Sequence, residues 1–431
     1  MLSWKKSLGI SGLVLQRPLP RRSFLRHSAT ALASLGGISC GSRCGKQPAR
    51  GALEVQLPVR TQPIAIPIYP LPQPLLSDKE IRAVVQAAQP PTFLFAYPPG
   101  YVYHALRLWG KTAAFAKLPF ANPAVRGRWG EIMFRMLTED RIYQEFSPAG
   151  RVGHLLKPTP FGVMVHCNID GGWGTGFNST HPGKYLQVMA DLDIASDFHL
   201  LVYDGKPHTI AEVVRDEARR LTFQDELEWL ANGLGRYLEV PEWQNRFGEW
   251  VSFDRIADHL TNLQFGQGAC AGGHIPYAMA ALVAIQSQSD ILSKPVLRQI
   301  EDRLRSYSKH LTARQRGDGG WDNKWADRTP QTERFLKATF RNVEDSDGLI
   351  VTGHQLEWMT ICRPDLRPSD RVLKAAGLYL ARWIPIIAAK IKFDWHLFAP
   401  LSHAARAVLA TNGIAWASES FLDERTEEPR R

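Results

Sequence analysis

Two kinds of helical segment alternate six times along this 431-residue chain, and that alternation constrains the fold more than any single motif. One kind is amphipathic and rich in charge, at about 78–89, 123–138, 209–221, 253–261, 295–313 and 369–385. PVLRQIEDRLRSYSKHL, from 295 to 311, is its clearest member, with apolar positions at helical spacing and a polar opposite face. The other kind is short, apolar and poor in charge. It comprises YVYHALRLWG from 101, HPGKYLQVMADL from 181, QDELEWLANGL from 224, GGHIPYAMAALVAI from 272, TGHQLEWMTI from 352 and LSHAARAVLA from 401. A helix with one polar face belongs at a surface, and a helix that is apolar nearly all round belongs inside. The alternation predicts an all-α chain folded as an (α/α)6 barrel, or toroid, of alternating outer and inner helices. Only 141–180 breaks the pattern, and its VMVHC and GGWGTG pieces read as strands or a loop excursion.

The start of the chain reads differently. Residues 1–40 hold Lys5, Lys6, Arg17, Arg21, Arg22 and Arg26 and no acid, followed by a weakly apolar run from Ala29 to Ile38. This order is that of an export leader. Arg21-Arg22-Ser23-Phe24-Leu25-Arg26 resembles the twin-arginine signal, which implies export of an already folded protein to the periplasm or cell envelope. Gly37-Ile38-Ser39-Cys40 resembles a lipoprotein box, which implies a lipid anchor at Cys40 as the one membrane contact. No apolar run approaches the roughly 18 residues of a membrane-spanning helix. Without the leader, 46 basic residues face 42 acidic, so the formal charge falls from +10 to +4. That balance excludes a nucleic-acid partner as the expected one.

Residues 41–76 form a linker punctuated by Pro58, Pro63, Pro67, Pro70, Pro72 and Pro74. Proline at this density favours an extended path, and Ile64, Ile66, Ile68 and Leu71 predict that the path lies against the body. Ser77-Asp78-Lys79-Glu80 is a capping box and opens the toroid domain, read as 77–415. Residues 416–431 are read as a charged tail. The five cysteines are Cys40, Cys44, Cys167, Cys270 and Cys362, with no CxxC pair. They predict no disulfide framework, and the last three are expected as buried thiols.

In such a ring, the loops that lead from outer to inner helices gather at one mouth. Five of the apolar segments begin with a histidine: His104, His181, His274, His354 and His403. The sixth carries Glu226 and Glu228. Near a helix N-terminus the dipole favours neutral imidazole, which serves as base, hydrogen-bond donor or metal ligand. The loops expected at this mouth bring Trp173, Trp321, Asp322, Trp325 and Trp395, with flat faces for a ligand and glycines that permit close approach. A histidine here also has a purely structural reading, as a cap bonded to the loop before it.

Two short stretches resemble known toroid families. Gln315-x-x-x-Gly319-x-Trp321 resembles the QW repeat of squalene-type terpene cyclases, which implies an α/α toroid. The acidic Asp-x-Asp-Asp motif of those enzymes is absent, and Glu344-Asp345-Ser346-Asp347 and Asp191-x-Asp193 are the nearest approaches. Gly353-His354-Gln355-Leu356-Glu357-Trp358 is similar to the GHxxEW stretch of the N-acylglucosamine 2-epimerase group. That resemblance implies a sugar site. In it, with Ser402-His403-Ala404-Ala405-Arg406 a looser match to that group's second, FHVPR-like motif, His354 and His403 would be the acid/base pair, Glu357 would orient a histidine or hold a hydroxyl, and Arg406 would steady an anionic oxygen.

The sequence therefore points to a carbohydrate- or uronate-active enzyme, of sugar epimerase/isomerase or polysaccharide lyase type. Its expected catalytic residues are His354, Glu357 and His403. Its expected substrate-binding residues are His104, His181, His274, Trp173, Trp321, Trp325, Asp322 and Arg406. No metal or other cofactor is expected. Zinc is the alternative, on Cys270, His274 and His354 with Cys167 or His166, because Cys/His sets bind it. Two further alternatives stand beside the sugar reading. One is a non-catalytic envelope binding or scaffold protein, in which His354 and Glu357 are only a buried clasp. The other is a terpenoid-cyclase-like enzyme.

Overall fold

The computed structural model describes residues 56–90, 92, 99–120, 122–146, 153–166, 181–326, 346–390 and 395–422. The leader, Cys40, Cys44, Cys167, Trp173, the GGWGTG loop, Glu344, Asp345 and residues 423–431 lie outside the described residues. The described chain is all-α apart from short hairpins. Its helices are α1 (Asp78–Ala87), α2 (Pro99–Trp109), α3 (Trp129–Thr138), α4 (Asp140–Phe146), α5 (Lys184–Asp191), α6 (Ile210–Arg220) and α7 (Leu227–Tyr237). They continue with α8 (Phe253–Asn262), α9 (His274–Gln286), α10 (Lys294–Arg314), α11 (Ser346–Ile361), α12 (Asp370–Lys390) and α13 (Trp395–Thr411). Three antiparallel hairpins decorate the joints: β1 (Leu156–Thr159) with β2 (Gly162–Val165), β3 (His199–Leu201) with β4 (Pro207–Thr209), and β5 (Glu242–Gln244) with β6 (Trp250–Ser252). The VMV part of the irregular 141–180 stretch is strand β2, paired so that Leu156 faces Val165.

The two kinds of helix keep separate company. Among the charge-poor set, α2 packs on α5, α5 on α7, α7 on α9, α9 on α11, α11 on α13, and α13 back on α2. The charged set packs on the outside of its chain neighbours: α3 on α2, α6 on α5 and α7, α8 on α7 and α9, α10 on α9, α12 on α11 and α13, and α1 on α12 and α13. The burial pattern follows from composition. Helix α9 buries every residue from His274 to Ile285, whereas α10 buries only Ile300, Leu304, Tyr307, Ser308 and Leu311 of its 21. Each fully buried Leu, Ile or Val stabilises the fold by about 1.5–3 kcal/mol, so α9 gains from the interior on all its faces and α10 on one.

Helix α1 begins where its capping box predicts. Ser77 Oγ accepts from Glu80 N, and the Glu80 carboxylate accepts from Ser77 N at 2.9 Å. The Gln-Gly-Trp repeat acts as a clamp at the end of α10. Gln315 Nε2 donates to Gly319 O at 2.8 Å and to Val372 O at 2.9 Å, and Trp321 Nε1 donates to Leu311 O at 2.9 Å. Gly319 has φ +92° and its Cα faces the Ala375 backbone with no room for a side chain, which explains glycine there.

The proline-rich segment is fixed along the C-terminal ends of the charge-poor helices. Arg60 N donates to Tyr237 O, Ile64 N to Arg236 O, Tyr69 N to Thr360 O and Leu71 N to Thr411 O, at 2.7–3.1 Å. It therefore crosses the ends of α7, α11 and α13 as a strap. At the other terminus, 416–422 is part of the body rather than tail: Ala417 N donates to Leu108 O at 2.9 Å, and Trp416 packs on Gly110. Among the described residues one helix, Asp370–Ala389 within α12, is long and apolar enough to cross a membrane by length and composition, against the expectation from sequence. It packs on α1, α11 and α13.

Two helix starts differ from expectation. Helices α11 and α13 begin at Ser346 and Trp395, about two turns before His354 and His403. His104 likewise sits inside α2, and His181 precedes α5; only His274 opens its helix. The helix-dipole argument for neutral imidazole therefore fails at His354 and His403. Burial takes its place.

Candidate functional site

Four of the charge-poor helices carry a histidine with a polar partner three residues on: His104 and Arg107, His274 and Tyr277, His354 and Glu357, His403 and Arg406. Residues three apart share a helix face one turn apart. The histidines meet one another, and the partners meet one another, so these helices run the same way and build two layers.

The upper layer is imidazole. His354 and His403 have ring centroids 4.1 Å apart, His274 lies 4.7 Å from His354 and 5.6 Å from His403, and His104 lies 4.6 Å from His403. His274, His354 and His403 are each no more than 4% exposed. Trp229 packs on His274 at 4.0 Å and stacks on His181 at 4.9 Å, which extends the row of rings to α7. His181 Nδ1 is bonded to the Glu226 carboxylate. Lys184, also buried, donates to His104 Nε2 at 2.8 Å and lies 4.8 Å from the Trp229 ring.

The lower layer is ionic. Glu357 Oε1 accepts from Arg406 at 2.6 Å and from Arg107 at 3.1 Å, and Oε2 accepts from His403 Nδ1 at 2.6 Å. Asp191 Oδ2 accepts from Arg107 Nε at 2.7 Å and Oδ1 from Arg236 at 2.5 Å. Arg107 also reaches the Tyr277 hydroxyl at 3.3 Å. Three guanidiniums thus enclose two carboxylates. Such an arrangement is tolerable in an interior only because every charge has a partner.

Burial and charge set the protonation states. Burial would raise the Glu357 carboxyl, but His403, Arg107 and Arg406 outweigh it and hold the group well below the usual carboxylate range. Burial opposes ionisation of Asp191 as well, and Arg107, Arg406 and Arg236 bring it to about 2. Burial lowers His403 to about 3 despite Glu357, with His354 adding to the effect. It also lowers His354, and lowers His104 and His274 well below the ordinary imidazole value. Lys184 falls to about 7, first through burial and then through Arg107, against Cys270 and the nearby carboxylates.

Neutral imidazoles have definite tautomers here. His354 Nδ1 lies 2.8 Å from Ile350 O, which can only accept, so Nδ1 carries the proton. His403 Nδ1 donates to the ionised Glu357. Both Nε2 atoms are left as lone-pair acceptors. Neither these two nor His274 Nε2 has a hydrogen-bond partner among the described residues. Cys270 Sγ and ring nitrogens of His274 and His354 lie within 4.8 Å of one another. Cys270 and His104 are half-buried.

Of the residues expected from sequence, the structure gathers His104, His274, His354, His403, Glu357 and Arg406, with His181 joined through Trp229. Glu357 is bonded to His403 Nδ1 rather than to His354 on its own helix. Arg406 is held by Glu357 rather than left open for an anion. Trp321 and Trp325 are buried packing residues, with Trp325 beside Tyr307 and His310, and neither presents a face to the histidines. Asp322 caps the 3-10 turn at Lys324 N and pairs with Arg316 at 3.6 Å. His166 is exposed, extends the β1–β2 hairpin through Leu155 O, and is not part of the Cys270, His274 and His354 group. Trp173 and Cys167 lie outside the described residues.

Sequence reasoning missed Lys184, Arg107, Asp191 and Arg236 as members of the site. The signal was present: these are isolated charges on helices otherwise too apolar to face water, and a charge on such a helix needs a buried partner. A separate open cleft of about 770 Å³ lies on the outer side, lined by residues such as Arg128, Arg135, Glu139 and Leu201. Arg128 and Arg135 there are already paired with Glu131 and Glu139.

No protein-family model matches the chain, and neither does any curated protein or solved structure.

Proposed function

We propose that this protein is an exported (α/α)6-toroid enzyme that acts on an anionic, hydroxylated small molecule, a uronate or related sugar acid, by proton transfer at its imidazole layer. The toroid reading is supported by the closed cycle of contacts from α2 through α5, α7, α9, α11 and α13, with the charged helices packed around it. Export rests on the twin-arginine-like leader.

One observation carries the chemistry: three buried, neutral histidines with Nε2 atoms that no described protein group uses. A purely structural histidine of this kind normally has both ring nitrogens satisfied. His403 differs from His354 in having a carboxylate partner, which opposes the burial that lowers its pKa. Its Nδ1–H points at the ionised Glu357, so the imidazolium formed when Nε2 takes a proton is stabilised at once. Glu357 is thus a positioning and charge-stabilising residue, and His354 and His403 are the proton carriers. Their rings lie 4.1 Å apart, side by side, and no sugar ring fits between them. They would act on one face of the substrate, which favours elimination or isomerisation over a two-sided inversion. The guanidinium excess beneath them, with Lys184 at their edge, favours an anionic ligand.

The test is to incubate the purified protein with uronates, sugar acids and uronate-containing oligosaccharides in D2O and follow exchange and turnover by proton NMR. Exchange at carbon adjacent to the carboxylate, lost in His403→Phe, is the expected result. A folded protein that neither exchanges, converts nor binds any of them would overturn the reading and leave the clasp in a scaffold.

A further inference from the structure

The Nε2 lone pairs of the imidazole layer have a second meaning once Cys270 is placed beside them. We propose that Cys270 Sγ, His274 Nε2 and His354 Nε2 bind one zinc-class divalent ion, with His403 beside its open coordination position. The site takes the same His354 Nε2 that the sugar chemistry above uses, so with the ion bound His403 is the proton carrier that remains; the site is tested without any substrate.

The geometry is close to what such an ion needs. Cys270 Sγ and one ring nitrogen each of His274 and His354 lie within 4.8 Å of one another. Metal–ligand lengths of about 2.0–2.3 Å in a tetrahedron place donors roughly 3.3–3.8 Å apart. The difference is about one ångström, within reach of rotation of the Cys270 side chain. The donor chemistry is also specific. A thiolate with imidazoles suits zinc and its neighbours, whereas calcium and magnesium take oxygen donors.

The surroundings are those of a ligand set rather than of packed rings. His354 is held by the bond from Nδ1 to Ile350 O, which fixes the tautomer with Nε2 free to ligate. His274 is fixed in place by Trp229 at 4.0 Å. Gly273 lets α9 and α11 come together: a Cβ on it would lie 2.5 Å from His354 Cβ. Cys270 holds φ +49°, a left-handed conformation that a residue with a side chain enters at a cost. Together these place a thiol from the turn before α9 and imidazoles from two helices around one point. The three buried Nε2 atoms provide an observation independent of the cysteine.

Three protein ligands leave a fourth position. His403 lies 4.1 Å from His354 and 5.6 Å from His274 by ring centroid. Its Nε2 has no partner among the described residues and would accept a hydrogen bond from water bound there, with Nδ1 held by Glu357.

The experiment uses the mature protein purified from zinc-supplemented cells. Metal is first measured by mass spectrometry after exhaustive dialysis. The protein is then stripped with a chelator and titrated with Co2+ and Zn2+. One equivalent of metal is expected. The cobalt form should show a thiolate-to-cobalt charge-transfer band, absent in Cys270→Ser while the visible ligand-field bands remain. His354→Gln should weaken zinc binding by at least 100-fold, and thermal unfolding of each variant checks that it folds. Less than a tenth of an equivalent in both the purified and the reconstituted protein would overturn the proposal. So would a charge-transfer band unchanged in folded Cys270→Ser. Metal-loaded protein inactive on every sugar acid would overturn the proton-transfer reading alone. Full turnover by stripped protein that takes up no added metal would overturn this one alone.

Discussion

Replacing Glu357 with glutamine changes little in shape and much in charge. The carboxylate accepts on both oxygens, from Arg406 and Arg107 on one and from His403 on the other. An amide has one accepting oxygen and one NH2 that only donates. With its NH2 towards the guanidiniums the glutamine sets donor against donor, with its NH2 towards His403 it forces that ring into its other tautomer, and either way only Asp191 remains to balance three guanidiniums. Removing one partner from a buried ion pair costs about 3–5 kcal/mol, and that is the expected loss at pH 7. The pH dependence gives a second check. The folded-state pKa of Glu357 is depressed, so its contribution is complete above the unfolded value and is lost as pH falls towards the folded one. The gap between wild type and Glu357→Gln should shrink below about pH 4.5, by at most about 1.4 kcal/mol per pH unit. Urea unfolding followed by tryptophan fluorescence at pH 7, 4 and 3 measures both. A loss under about 1 kcal/mol at pH 7, or a gap that does not close in acid, would refute the claim that an ionised Glu357 holds the two layers together.

Other perturbations have equally definite outcomes. Gly273→Ala places a methyl against His354 Cβ, rigid on rigid; overpacking of this kind costs about 1–3 kcal/mol, and metal affinity should fall with it, as calorimetry and zinc titration would show. Burial, then Asp216 and Asp225, raises Glu217 to about 7 against the pull of Arg220. Its raised folded pKa means that stability is fully present below about pH 4.5 and falls as pH rises through 7. Glu217→Gln should therefore be more stable than wild type at pH 8, by roughly 2–3 kcal/mol, and equal stabilities at pH 8 would count against it. Gln315→Ala removes bonds to Gly319 O and Val372 O and should cost about 1–3 kcal/mol in chemical unfolding, without altering metal stoichiometry.

Much of the fold was written in local pattern. The six charged helices appear close to their predicted places because a polar face repeats every turn and the helix begins at a cap such as Ser77 or Ser252. The charge-poor helices were equally plain, but two of their starts were not. Ser346 and Trp395 begin helices in stretches whose composition resembles a loop, and packing between α11 and α13 extends them. The strap was legible as an extended apolar path. That it seals the ends of α7, α11 and α13 was not, because backbone bonds from Tyr69 to Thr360 and from Leu71 to Thr411 cross some 290 to 340 positions of chain.

The sequence alone determined the elements, their two kinds and the residue types of the site: histidines on apolar helices, each near a polar partner. Helical periodicity is local, so short-range spacing suffices to fix it. Only the tertiary structure decided which partner each histidine takes. Glu357 serves His403 on another helix rather than His354 on its own, and His354 turns instead to its own backbone at Ile350. Only it decided that Arg406 neutralises a carboxylate, that Trp321 is packing, and that Cys270 stands beside His274 and His354. Those outcomes depend on distances between residues far apart in the chain and on the loss of water around them, and neither is encoded in any single segment.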